Sequence, residues 1–302
     1  MKIKANQIDI EYEDSGADGS QGQRPVVLLI MGLGMQLVAW PPDFVQALVD
    51  AGYRVIRHDN RDIGLSQHFD HLGVPNVLWA SLQLKLGLTP RAPYSLQQMA
   101  DDALGLLDAL GVPRAHVLGL SMGGMIAQRM ALTAPQRVVS LISVMSSSGA
   151  RKLPQARPEV LRAILSRPQG TGREALLRHY VHLFRVIGSP AWPMGEAAMR
   201  ERILVSLDRS NHPAGLLRQM MAVVADTQRA DALSRISAPT LVLHGKADPL
   251  LPFACGEDTA RRIPGAHLVG IEGMGHDLPP GVVEHLLTHL LPFLRQHDSQ
   301  TP

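Results

Sequence analysis

The sequence predicts an α/β protein built on one mostly parallel sheet with helices on both faces. Three observations carry that expectation. Short runs of aliphatic and β-branched residues at 26–30, 53–58, 115–120, 137–144, 238–245 and 267–271 suit strands buried on two faces. Segments with helical apolar spacing separate most of these runs, and such alternation joins parallel strands through crossover helices. A chain of 302 residues that is 45% hydrophobic can bury one large core and carry an insertion without a second independent fold.

Each element has a local reason. Residues 2–13 alternate around Ile3, Ile8, Ile10 and Tyr12, with Asn6-Gln7 at the centre, the pattern of a hairpin at a sheet edge. A polar, glycine-bearing loop is expected over 15–24. Pro25 then opens the buried run 26–30, which ends in Met31-Gly32-Leu33-Gly34, where glycines let the backbone approach a neighbour closely. Residues 42–51 read as a helix stopped by Gly52, and 53–58 as the next strand. Asp59-Asn60-Arg61-Asp62 and the residues up to Ser66 form a polar turn, read as structural and held by Asp/Arg pairing.

Residues 67–94 lack a period and contain prolines at 75, 90 and 93; the expectation is a long loop with a helical turn or two. Trp79 and its leucine neighbours would line an entrance there. Ser95 is placed to cap a helix whose Met99, Ala103, Leu106, Leu107 and Leu110 share one face, and Gly111 ends it. From 150 to 231 strand signals vanish, and proline- and glycine-broken amphipathic segments rich in arginine predict a helical cap set into a core formed by 1–149 and 232–302. Residues 151–235 hold 14 Lys/Arg against 7 Asp/Glu; the reading favoured for this excess is a solvated helical face, ahead of an electropositive lid for an anionic substrate. Strand and helix then alternate again, with Asp248 and His276 each just after a strand.

Composition excludes several classes. The net charge is only +2 and the basic residues are dispersed, which argues against a nucleic-acid partner. Cys255 is the only cysteine, so there is no intrachain disulfide and no cysteine-based zinc spacing, and a reducing, cytoplasmic setting is expected. The longest apolar run, 26–35, is too short for a membrane span. A homo-oligomer is compatible with the sequence. No cofactor or metal is expected.

The chemistry centres on Gly119-Leu120-Ser121-Met122-Gly123, between a strand and a helix-like segment. A serine on a strand-to-helix turn has its hydroxyl lifted off the sheet edge, and the residues two before and two after it are too crowded for a Cβ. Alone, the pattern also fits an ordinary loop; its context favours a nucleophile elbow. A serine hydroxyl needs an imidazole to take its proton and a carboxylate to orient that imidazole. Ser121, Asp248 and His276 supply these in that order, 127 and 28 residues apart. In a parallel sheet the loops at the strands' carboxyl ends gather on one edge, so the three can meet there. Asp277 is a rival acid, disfavoured because a neighbour reaches around to the adjacent ring with difficulty. The amides of Met122 and Leu33 are the expected oxyanion donors, and Met31, Gly32 and Met125 are candidate substrate contacts.

Met31-Gly32-Leu33-Gly34, Asp59-Asn60-Arg61, Gly119-Leu120-Ser121-Met122-Gly123, the run from His244 to Pro249, and Gly273-Met274-Gly275-His276 together resemble the α/β-hydrolase family over nearly the whole chain. Within it the chain looks most like the branch containing aclacinomycin methylesterase and related bacterial carboxylesterases, through a Met-Gly turn followed by Trp40-Pro41. Met31 stands where that family more often has histidine, and Ser121 replaces the aspartate of dehalogenases and epoxide hydrolases. The resemblance implies a helical cap, a Ser-Asp-His triad, no cofactor and an acyl-enzyme on Ser121. The expected activity is hydrolysis of small carboxylic esters with an apolar acyl or alcohol part. Cofactor-free perhydrolase or haloperoxidase chemistry, carbon-carbon bond hydrolysis, and a non-catalytic binding protein on the same scaffold stay open as alternatives.

Overall fold

A computed structural model describes residues 1–16, 19 and 24–298, without the side chains of 78, 81, 84 and 85. Among these residues the chain forms one sheet in the order β1-β2-β4-β3-β5-β6-β7-β8. Its strands are β1 Lys2–Ala5, β2 Ile8–Asp14, β3 Val26–Ile30, β4 Arg54–His58, β5 Ala115–Leu120, β6 Val138–Val144, β7 Thr240–Gly245 and β8 His267–Ile271. The first two pair antiparallel, β2 runs antiparallel to β4, and all strands from β3 to β8 are parallel. Asn6 and Gln7 make the hairpin turn at positive φ, 47° and 68°. Most of the loop expected over 15–24 lies outside the described residues.

Buried alternation explains the layers. In β3, Leu28 and Ile30 face one apolar cluster while Val27 and Leu29 face the other, so every side chain of that strand is covered. The first cluster packs under α3 (Leu96–Ala109) and α4 (Met122–Thr133), through residues such as Met99, Leu106, Ile126 and Met130. The second packs under α1 (Pro42–Asp50) and the last helix, Pro280–Asp298, through Phe44, Leu48, Leu286, Leu290 and Leu294. Ser95 accepts from the Gln98 amide, and Gln98 answers with a bond from the Ser95 amide, a reciprocal cap that starts α3.

The helical turns expected within 67–94 are residues 77–85, which form α2 (Val77–Lys85). Its sequence has no helical apolar period, and Trp79 and Leu82 are exposed. Between β6 and β7 lie α5 (Pro158–Leu165), α6 (Arg173–Ile187), α7 (Glu196–Arg209), α8 (Pro213–Ala225) and α9 (Arg229–Ala232). The boundary expected at 231/232 therefore falls inside α9. Leu177, Val181, Met199 and Ile203 give α6 and α7 a small core of their own.

The basic excess of this insertion is only partly a solvated face. Arg173, Arg185 and Arg200 do pair with Asp208, Glu196 and Glu174 at the surface. Arg209 and Arg218, however, turn inward onto core carboxylates: Arg209 Nη1 meets Asp59 Oδ2 at 2.5 Å, and Arg218 bonds both oxygens of Asp62, at 2.7 and 2.8 Å. The 59–66 turn is indeed held by Asp/Arg pairing, but with distant partners, since Arg61 binds both oxygens of Asp102 on α3. Removing one member of such a buried pair typically costs about 3–5 kcal/mol, because its partner is left as an uncompensated buried charge.

His58, at the end of β4, is wholly buried, and burial lowers its pKa to about 4. It is neutral when folded, whereas the unfolded chain binds a proton near the ordinary histidine value, about 6.5. Stability is therefore expected to fall as pH drops from about 6.5 toward 4, by up to about 3 kcal/mol from this residue alone. Urea midpoints measured across that window for wild type and His58→Phe check this; parallel curves would refute it.

Candidate active site

The strand β5 delivers Ser121 into a tight turn and α4 starts immediately after it. Ser121 has φ 55° and ψ −119°, a left-handed φ that a non-glycine residue adopts only when its surroundings impose it. The imposing contacts are steric. A Cβ on Gly119 would sit 2.1 Å from the Gly123 carbonyl oxygen, and one on Gly123 would sit 2.0 Å from that of Ile30. The Ser121 amide bonds the Val144 carbonyl at 2.9 Å, and the Ser146 hydroxyl donates to the Ser121 carbonyl at 2.7 Å.

Ser121 Oγ lies 3.1 Å from His276 Nε2, and His276 Nδ1 lies 2.7 Å from Asp248 Oδ2. The three side chains thus come together from the ends of β5, β7 and β8. The other oxygen of Asp248 accepts the amides of Leu250 and Leu251, both at 2.9 Å. Burial alone would raise the Asp248 pKa, but the adjacent His276 and these bonds hold it below the usual carboxylate range. His244, 3.6 Å from the same carboxylate, is kept toward its neutral form by burial, and its Nε2 donates to the Leu251 carbonyl at 2.7 Å. Asp277 points elsewhere: its Oδ1 accepts from the amide and hydroxyl of Ser189, at 2.9 and 2.5 Å. Burial raises its pKa.

The turn after β3 stands against the elbow, for a Cβ on Gly32 would lie 3.2 Å from Ser121 Cβ. Neither the Leu33 amide nor the Met122 amide finds an acceptor among the described residues. Met31 and Met125 are buried on opposite sides of the sheet, Met31 with Trp40 and Phe44, Met125 with the α3 and α4 cluster. The Met31 side chain belongs to the core. Burial pushes the Cys255 thiol up to about 11, which leaves it unreactive.

Sequence reasoning missed the residues that brace these turns. Ser189, just beyond α6, receives the Gly275 amide on its hydroxyl at 2.9 Å, and the His276 amide bonds the Ile187 carbonyl at 2.7 Å. Gln36 donates to the carbonyls of Ser206 and Ser210, both at 2.8 Å. Nothing in their sequence surroundings sets these residues apart, because each contact depends on how the insertion docks.

His68, Asp70 and His212 bring potential metal-ligating atoms within 4.8 Å of one another. The two imidazoles stack face to face, with ring centroids 3.8 Å apart and planes 4° from parallel, so their in-plane lone pairs do not converge on one ion. The His212 nitrogens already face the Asp62 carbonyl and the Asp70 carboxylate, each at 2.9 Å. Among the described residues no helix is long and apolar enough to cross a membrane.

With this geometry in view, known proteins offer three comparisons. The chain is 31% identical over 279 residues to the rhodomycin D methylesterase DauP of Streptomyces sp. (strain C5), covering 86% of this chain and 87% of that one. It is 29% identical over 293 residues to the 2-hydroxy-6-oxononadienedioate/2-hydroxy-6-oxononatrienedioate hydrolase of Paraburkholderia phymatum, covering 96% and 92%. The enol-lactonase from Burkholderia xenovorans LB400 superposes with a TM-score of 0.69 at 23% identity, covering 98% of this chain and 100% of its own. Residues 25–279 match the alpha/beta hydrolase fold, a span that includes the sheet from β3 onward, the elbow and the His276 turn, and the chain belongs to that family.

Proposed function

We propose that this protein is a serine carboxylesterase that cleaves small esters with an apolar acyl or alcohol part through an acyl-enzyme on Ser121. The observation that carries the reading is the unbroken relay from Ser121 Oγ to His276 Nε2 at 3.1 Å and from His276 Nδ1 to Asp248 Oδ2 at 2.7 Å. As Oγ attacks the ester carbonyl carbon, Nε2 takes its proton and the carbonyl electrons move onto oxygen. The Leu33 and Met122 amides receive that oxyanion. When the tetrahedral species collapses, the carbon-oxygen bond to the alcohol breaks and the imidazolium returns the proton to the leaving oxygen. Water then repeats the sequence on the acyl-enzyme, with His276 again as base, and frees the acid. Asp248 stays ionised throughout and fixes the imidazole's orientation, which its depressed pKa suits.

The name of the rhodomycin D methylesterase, similar along most of its length, favours ester cleavage among the chemistries open to such a relay. In the same proposal the helices between β6 and β7 act as a cap. Its support is the contact of Leu216 and Gln219 on α8 with Gly34, and of the α6 end with the His276 turn. Cytoplasmic residence belongs to the reading as well, supported by a lone buried cysteine.

Ser121→Ala is expected to lower kcat on p-nitrophenyl acetate and butyrate by about a millionfold. Turnover equal to wild type would end the proposal. Asp248→Asn is expected to cost about 10⁴-fold in kcat by letting the imidazole take the wrong tautomer, whereas Asp277→Asn should stay within about tenfold. Steady-state kinetics on the two variants separate the acids, and the reverse ranking would transfer the role to Asp277.

A further inference from the structure

We infer that Gln219, a residue of the insertion, is a positioning residue for the oxyanion-binding turn, so that α8 must be docked for the Leu33 amide to point at the reacting oxygen. The inference rests on the esterase reading above and goes beyond it by assigning part of the turn's alignment to the insertion.

Three consecutive peptide groups make up that turn, and each is pinned by one hydrogen bond. Asn60 Nδ2 donates to the Met31 carbonyl at 3.0 Å and fixes the first. The Met35 amide donates to the Gly32 carbonyl at 3.2 Å and fixes the second, whose other end is the Leu33 N–H. In a planar trans peptide the C=O and N–H point in opposite directions, so this bond aims the Leu33 amide away from Met35. The Gly34 amide donates to Gln219 Oε1 at 2.9 Å and fixes the third. The first two restraints come from residues of the sheet domain itself, and the last comes from α8.

Gln219 is built for this task. It is wholly buried, and its other end donates from Nε2 to the Arg61 carbonyl at 2.8 Å, so its amide cannot rotate without losing a bond. The Arg61 guanidinium is in turn held by both oxygens of Asp102. One side chain therefore ties the oxyanion turn to the rigid 59–66 turn. Gly34 has φ 70°, and a Cβ there would lie 2.6 Å from Leu216 Cδ1, so α8 packs closely against the turn and leaves no room for a side chain. Without the Gln219 acceptor the Gly34 peptide can tilt, and the Leu33 amide tilts with it through their shared Cα. A misalignment of this kind weakens binding of the tetrahedral oxyanion while leaving the ground-state ester little affected.

The test uses the full chain with p-nitrophenyl butyrate and a trifluoromethyl ketone, which forms a tetrahedral adduct on the serine. In Gln219→Met, kcat is expected to fall by ten- to a hundredfold, on the order of the loss from a slightly misplaced catalytic group, with KM within about twofold. Affinity for the ketone is expected to fall by the same factor as kcat. Gln219→Glu adds a pH signature: the neutral acid is isosteric with the amide and makes both bonds, whereas the carboxylate faces the Arg61 carbonyl without a proton to donate. Its kcat, relative to wild type at each pH, is expected to be near normal at pH values where the acid is neutral and to decline as pH rises. If Gln219→Met does not fold, this pH profile carries the test alone. A folded Gln219→Met with unchanged kcat and ketone affinity, a matched loss in KM, or a flat relative profile in Gln219→Glu would overturn the inference. Failure of Ser121→Ala to lose activity would instead sink the esterase reading, so the two are told apart.

Discussion

The close approach of three backbones at the elbow is the constraint on which the rest of the site depends. Gly119, Gly123 and the end of β3 interpenetrate so far that a methyl group at either glycine would meet a carbonyl oxygen at 2.1 Å or less. That packing forces Ser121 to φ 55° and presents its hydroxyl beyond the sheet edge. Because β3 is one of the three partners, the same contact brings the Gly32 turn against Ser121. One steric contact thus brings the elbow and the turn after β3 together.

Around this fixed centre the insertion supplies braces that the sheet lacks. Ser189 and the Ile187 carbonyl hold the His276 turn, and Gln36 and Gln219 tie the turn after β3 to α7 and α8. Arg209 and Arg218 carry charge into the core to meet Asp59 and Asp62. Burial of these ions is tolerable only because each carboxylate also accepts backbone amides, from Leu37 and Leu65 for Asp59 and from Phe69 for Asp62. Asp59 thereby joins the start of the 59–66 turn to the backbone at Leu37.

Much of this was legible in the sequence wherever a local rule acts. The run 26–30 is apolar on both faces because β3 is central, Ser95 announces the start of α3, and glycines two residues either side of Ser121 report crowding that the backbone alone produces. Asp248 and His276 stood out by their places just after strands, and the geometry brings both to Ser121. What stayed hidden was non-local. The partners of Asp59 and Asp62 are about 150 positions away, so the Asp/Arg pairing could be expected from the sequence but its partners could not be named. The arginines of α7 and α8 carry no mark that separates an inward guanidinium from a solvated one. A helical turn or two was expected in 67–94, but the bounds of the helix 77–85 were not legible because the sequence there has no helical apolar period.

The inward arginines also bear on how such an enzyme can be rebuilt. An insertion borrowed from a relative would arrive with its own side chains at the positions of Arg209 and Arg218, while Asp59 and Asp62 would stay behind in the host. Unless the graft happened to restore both cations, two carboxylates would be entombed without counter-ions, and the chimera would fail to assemble for reasons unrelated to substrate fit. Module exchange in this scaffold therefore has to move the acceptor turn and the donor helices as a single unit.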